Sequence, residues 1–230
     1  MNKNLTEIAY ILDRSGSMQP LAEQAVAAFN SFLEDQKSDE GMARLTLVLF
    51  DNAYDIPIDG VPLEEVLPLT TANYEPRGST ALLDAIGRTI EDLGKRLEAI
   101  PEAERPGSVI FAIFTDGLEN ASLRFNWTEV SERIKHQREV YKWEFLFLGA
   151  NQDAIATAAG LNIDARNSSA YVSDGVGIHS SSAAFSRKAT AIRRVTSGKA
   201  SEDEVAFMKV AMSDVVHEED RKRRDKSGGE

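Results

Sequence analysis

The chain has 230 residues, 42% of them hydrophobic, enough for one large domain, or one domain with an extension, around a sizeable core. Its 26 basic and 37 acidic residues give a formal charge of −11, which argues against a general binder of nucleic acid or anionic membrane, because phosphate surfaces demand a basic face. There is no cysteine, so disulfides and thiolate metal sites are excluded, and a reducing cytoplasm fits.

Met1–Leu5 leads into a strand, not into an apolar region with a cleavage site, and no apolar stretch approaches the roughly 18 residues that span a bilayer. The expectation is a soluble, cytoplasmic protein. Ile8–Leu12 is a run of β-branched and aliphatic residues that reads as a buried strand. It stops at Asp13-Arg14-Ser15-Gly16-Ser17, a loop with one carboxylate and two hydroxyls at alternate positions. Ligands of open α/β sheets sit at the carboxyl ends of strands, where these oxygens project. Asp and Ser supply hard oxygen donors of the kind Mg²⁺ or Mn²⁺ accepts, and Gly16 allows a tight turn that brings the hydroxyls together.

Pro20 stands near the start of a first helix, and Leu21, Ala25, Phe29, Phe32 and Leu33 recur at helical spacing up to Ser38–Gly41. Leu45–Phe50 is a second strand. Asp51-Asn52 is a turn signal, and Tyr54–Ile58 a short third strand that Asp59-Gly60 closes. The short spacing makes strands two and three a hairpin, so the third runs antiparallel at an edge, where Pro57 is tolerated. Asp51 and Asp55 read as turn and edge residues. Residues 61–76 form a connection, with a helical turn at Glu64–Leu67.

Thr80 follows Arg77-Gly78-Ser79 and precedes a helix with the apolar stripe Leu82, Leu83, Ile86, Ile90, Leu93 and Leu97. By itself Thr80 reads as an N-cap. Val109–Phe114 is the most apolar run and reads as a central strand buried on both faces, ending in Thr115-Asp116-Gly117. A helix over Thr128–Lys142 with Thr128 as a possible cap, a strand Trp143–Leu148, and a turn through Gly149-Ala150-Asn151 into a short helix ending at Gly160 follow. Beyond them come an edge strand near Ala170–Val172, a helix over Ser180–Thr196, a final helix over about residues 202–216, and a charged tail from His217 that frays. Strands alternating with amphipathic helices indicate a doubly wound α/β sheet, mostly parallel with one antiparallel edge strand and helices on both faces.

Asp-x-Ser-x-Ser after a first buried strand, with Thr80 behind a flanking glycine and Asp116 after the central strand, resembles the metal-ion-dependent adhesion site of von Willebrand factor A domains of the intracellular bacterial or phage type. The resemblance covers most of the chain. It implies a Rossmann-like domain over residues 1–198, with 199–230 as a C-terminal helical extension and charged tail. It also implies a metal site formed by Asp13, Ser15, Ser17, Thr80 and Asp116, with Ser15, Ser17 and either Thr80 or an Asp binding Mg²⁺ or Mn²⁺ directly and the rest through water. Two carboxylates only balance the ion's charge, so its open position stays electron-poor and accepts an Asp or Glu from a partner protein. Intracellular members of that family often serve in larger assemblies.

Taken singly, Asp13 could cap, Ser15 and Ser17 could make turns, and Asp116 could stabilise its loop. An alternative function is a metal-dependent hydrolase or phosphotransferase using the Asp13 loop, but no phosphate-binding loop, nucleophile elbow or HExxH spacing is present, so binding without catalysis is the expectation. A third possibility gives the binding to the C-terminal helices. Arg14 reads as a solvated residue beside the metal, Arg77 is ambiguous, Glu119 and Asn120 are rim candidates, and Trp127 and Tyr74 are either rim aromatics or buried. The cluster Arg221–Arg224 reads as a solvated helix end.

Overall fold

The computed structural model describes residues 1–150 and 153–227. Six strands, β1 (Asn2–Asp13), β2 (Met42–Phe50), β3 (Tyr54–Pro62), β4 (Pro106–Thr115), β5 (Glu144–Gly149) and β6 (Ser168–Ala170), form one sheet in the order β3-β2-β1-β4-β5-β6. β3 pairs antiparallel with β2 at one edge, and all other pairs are parallel. The chain winds outward from β1 through β2 to β3, then returns to β4 on the other side of β1. The direction of winding therefore reverses between β1 and β4, and at such a switch point two loops part at the carboxyl ends of neighbouring strands and leave a crevice. Leu12 of β1 lies beside Phe114 of β4, which puts Asp13 and Thr115 together at its floor.

The helices are α1 (Ala22–Ser38), α2 (Leu82–Glu98), α3 (Trp127–Tyr141), α4 (Ala154–Gly160), α5 (Gly175–Ser197), α6 (Glu202–Phe207) and α7 (Met212–Ser227). β1 alternates between two cores. Ile8, Tyr10 and Leu12 face a core shared with α1, α5 and α7, while Ala9 and Ile11 face one shared with α2, α3 and α4. Burial on both faces explains why β1 and β4 read as unbroken apolar runs. Tyr10 gathers Phe29, Phe32 and Phe185 around it at ring-centroid distances of 5.2, 5.0 and 6.1 Å, joining α1 and α5 to the sheet. Burial of each such side chain contributes about 1.5–3 kcal/mol.

Several local expectations change. β3 does not end at Asp59-Gly60. It continues to Pro62 through a register shift, with Gly60 at φ 62° and its N–H donating to Thr46 Oγ1 at 3.0 Å. The cap of α3 is Asn126, not Thr128; Asn126 and Glu129 form a reciprocal capping box, which places the helix start one residue earlier. The turn into α4 was expected at Gly149-Ala150-Asn151, and Asn151 lies outside the described residues. The single helix expected over 202–216 is two helices. Val205, Met208, Met212 and Val215 share one helical period, yet the chain turns between α6 and α7, where the Lys188 ammonium donates to the carbonyls of Phe207 (3.4 Å), Met208 (3.3 Å) and Val210. The charged tail continues α7 to Ser227 instead of fraying at His217. Lys222–Glu218 and Arg224–Asp220 pairs, each 2.6 Å, run along it, and Arg224 reaches Asp174 at 3.0 Å. Met212, Val215 and Val216 join the same core as α5. Among the described residues no helix is long and apolar enough to cross a membrane.

Candidate metal centre

Three loops meet over the crevice between β1 and β4. The first leaves β1 as Asp13–Ser17. Asp13 is fully buried; its Oδ1 accepts from the Ser15 N–H at 2.7 Å and its Oδ2 from the Thr115 hydroxyl at 2.5 Å. Its own carbonyl accepts from the Tyr74 hydroxyl at 2.5 Å. Ser15 Oγ and Ser17 Oγ lie 3.1 Å apart, and Ser17 Oγ donates to Asp116 Oδ1 at 2.7 Å. One hydrogen-bonded chain thus runs from the first loop to the loop after β4. The second loop brings Thr80, also buried. A Cβ built on Gly117 would stand 2.9 Å from Thr80 Oγ1 and 3.7 Å from Ser17 Oγ, so the bare glycine leaves the space these two hydroxyls share. Asp13, Ser15, Ser17 and Asp116 are thus joined by hydrogen bonds, and Thr80 stands beside them across the space that Gly117 leaves open.

The electrostatics of this site are those of one carboxylate held out of water, Asp13, beside a half-buried one, Asp116. Burial pushes the Asp13 carboxyl up to about 6, although Thr115 and Ser15 donate to it, and the Asp116 charge adds to the rise. Burial also raises Asp116, against the opposing bond from Ser17. Among the described residues no guanidinium or ammonium bonds either carboxylate. Among the described residues no three His, Cys, Asp or Glu side chains gather as a metal-holding group, so the donor set is two carboxylates and three hydroxyls. That set is all hard oxygen, short of positive charge, and suits Mg²⁺ or Mn²⁺ rather than a soft ion.

The neighbouring residues differ from their expected places. Gly16 has no left-handed φ; what it provides is close approach, since a Cβ there would lie 3.3 Å from Gly78 O. Thr80 does not cap α2, which starts from Ala81 without a side-chain bond. The free amides of α2 are met from another loop instead: Leu83 N–H donates to Glu119 Oε2 at 2.8 Å and Asp84 N–H to Ser122 Oγ at 3.0 Å. Asn120 Oδ1 accepts from the Thr80 N–H at 2.9 Å, so Glu119 and Asn120 lock the rim onto the second loop. Tyr74 is buried under Asp13, whereas Trp127 is exposed. Arg14 is not solvated but buried, paired with Asp51 at 3.1 Å and with Asp55. Asp51 is more than a turn residue, with a side chain only 1% exposed that also receives Arg77 Nε at 3.0 Å. The only sequence signal for these pairs was charge at strand ends, which does not say which charges meet.

No family model matches this chain, and no curated protein matches it. Among solved structures its fold is similar to that of the von Willebrand factor type A protein from Catenulispora acidiphila, with a TM-score of 0.51 and 16% identity over 81% of this chain and 42% of that one. It is also similar to the D319A mutant of the PilB minor pilin from Streptococcus sanguinis, with a TM-score of 0.53 and 10% identity over 85% of this chain and 63% of that one. The chain spans less than two thirds of either protein. At these identities the likeness establishes architecture: a von Willebrand factor A, Rossmann-like fold, mostly parallel with one antiparallel edge strand and helices on both faces.

Proposed function

We propose that this chain is a metal-dependent protein-binding module. Asp13, Ser15, Ser17, Thr80 and Asp116 hold one divalent cation, Mg²⁺ or Mn²⁺, in the manner of an intact metal-ion-dependent adhesion site. The observation that carries the reading is the chain of contacts from Asp13 through Ser15 and Ser17 to Asp116, one buried and one half-buried carboxylate with hydroxyls between them and, among the described residues, no cationic side chain bonded to either. When bound, the ion supplies an electrophilic position for a carboxylate from outside. The residues of this chain arrange the rest: Thr115 and the Ser15 amide hold Asp13 in place, and Gly117 leaves room beside Thr80. The partner is a protein that presents an Asp or Glu, within a larger assembly in a cytoplasmic setting, and neither nucleic acid nor a membrane.

Binding without catalysis belongs to the same proposal. Asp13 stands where a phosphotransfer enzyme would keep a nucleophile, but donors engage both its oxygens and it is fully buried, which makes it a poor nucleophile. The test is thermal unfolding of EDTA-treated protein titrated with Mg²⁺ and with Mn²⁺. A ligand that binds only the folded state stabilises it by RT ln(1 + [L]/Kd). A saturable rise in Tm, absent in Asp116→Ala, is expected. An unchanged Tm in wild-type protein at millimolar metal would overturn the reading.

A further inference from the structure

We propose that Asp51 is a positioning residue for the metal centre: its carboxylate, through Arg14 and Arg77, sets the loop after β1 against the loop before α2. The consequence for metal binding rests on the function proposed above, while the clamp itself is read from geometry.

Asp51 follows β2, outside the five-residue site and 38 positions from Asp13. A carboxylate only 1% exposed needs compensation, and Asp51 Oδ2 finds it twice, in Arg14 Nε at 3.1 Å and Arg77 Nε at 3.0 Å. Its Oδ1 accepts from the Ala53 N–H and closes the turn. Arg14 lies inside the Asp-x-Ser-x-Ser stretch, and Arg77 lies three residues before Thr80. Main-chain bonds follow the same path. Arg14 N–H donates to Phe50 O (2.8 Å), Arg77 N–H to Arg14 O (2.8 Å), Gly16 N–H to Gly78 O (3.1 Å) and Ala81 N–H to Asp51 O (3.0 Å). Gly78, at φ 64°, sits where any side chain would collide with Asn52. The hydroxyls of Ser15 and Ser17 are thereby placed relative to that of Thr80 by one buried anion.

Charge points the same way. Asp51 and Asp55 face Arg14 and Arg77, so the cluster is neutral and adds little repulsion to a divalent ion beside it. The planar guanidinium of Arg14 bonds Asp51 through one nitrogen and Asp55 through another, which a lysine ammonium would not reproduce.

The experiment compares wild type, Asp51→Asn and Arg77→Gln in two ways. The first is amide hydrogen exchange of EDTA-treated protein, read at Gly16, Arg77 and Ala81 against Ile113 in β4. The second is Mn²⁺ affinity with the electron paramagnetic resonance signature of the bound ion. Faster exchange at the three loop amides with Ile113 unchanged is expected. Mn²⁺ binding by Asp51→Asn should weaken roughly 10- to 100-fold, as when an outer partner of a metal ligand is lost, with a smaller loss in Arg77→Gln and an altered signature in both. Wild-type exchange rates at the three amides in both variants would overturn the positioning role, even if affinity fell through charge alone. If wild-type protein takes up no Mn²⁺, the metal reading fails and the exchange comparison still decides the clamp. If Asp51→Asn does not fold, Arg77→Gln, changed at a half-exposed side chain, carries the same comparison.

Discussion

Thr115 donates its hydroxyl to Asp13 Oδ2 at 2.5 Å and so ties the carboxyl ends of β1 and β4 across the switch point of the sheet. Thr115→Val keeps the shape and removes the donor, leaving one buried carboxylate oxygen unbonded. Such a loss costs about 1–3 kcal/mol. Urea unfolding in EDTA should show that loss of stability, and Mn²⁺ should bind the variant more weakly because Asp13 is freed to turn.

Gly117→Ala tests the space at the centre of the site. The added Cβ would stand 2.9 Å from Thr80 Oγ1, tighter than ordinary contact. Gly117 does not use a left-handed backbone, so the substitution carries no strain of that kind. Metal affinity should fall by about tenfold or more, in line with a perturbed ligand set. Tm in EDTA should move by only a few degrees. Equal affinity in variant and wild type would remove Thr80 from the site.

Glu7, in β1, gives the fold a pH dependence of definite sign. Burial pushes its carboxyl up to about 7, with Arg96 opposing the rise. Because the folded state holds this proton above the range where the unfolded chain has lost it, the stability Glu7 contributes is fully present below the ordinary value of 4.5 and is lost as pH rises toward 7. The expected loss is on the order of 3 kcal/mol across that window. Asp13, raised to about 6, acts in the same direction. Glu7→Gln keeps an oxygen to accept from Arg96 and Thr46 and should reduce the fall in stability between pH 4.5 and 7 in EDTA buffer by the part due to Glu7, leaving the parts due to Asp13, Asp116 and the other titrating groups. Calorimetry at half-unit intervals checks it, and an unchanged slope would contradict a Glu7 carboxyl raised by burial.

The C-terminal segment is built into the first core. Deleting residues 199–230 removes Met212, Val215 and Val216, each buried, and each side chain contributes roughly 1.5–3 kcal/mol. It also strips Lys188 of the carbonyls of Phe207, Met208 and Val210. The truncated chain should lose several kcal/mol by the same area reckoning. Lys188→Met, which removes only the ammonium, should cost about 1–3 kcal/mol through the unpaired carbonyls. Chemical unfolding of both variants measures this.

The parts of the molecule that were legible from sequence are those encoded locally. β1 and β4 are buried on both faces, so their composition alone marks them, and Asp13 and Asp116 follow directly from where those runs stop. The stripe of α2 is similarly local. What stayed hidden depends on pairs distant in sequence. Arg14 meets Asp51 across 37 positions, and α2 is capped by Glu119 and Ser122, 36 and 38 positions away from the amides they serve. The division of α6 from α7 escaped for a related reason. Periodicity shows one continuous apolar face, while the break is stabilised by Lys188, whose role appears only once α5 lies against the turn.

The most direct measurement is calorimetric titration of Mn²⁺ into EDTA-stripped wild-type protein and into Asp13→Ala. The account predicts one ion per chain for wild type and no saturable binding for the variant. Wild-type protein that binds no ion, or a variant that binds as tightly as wild type, would contradict it.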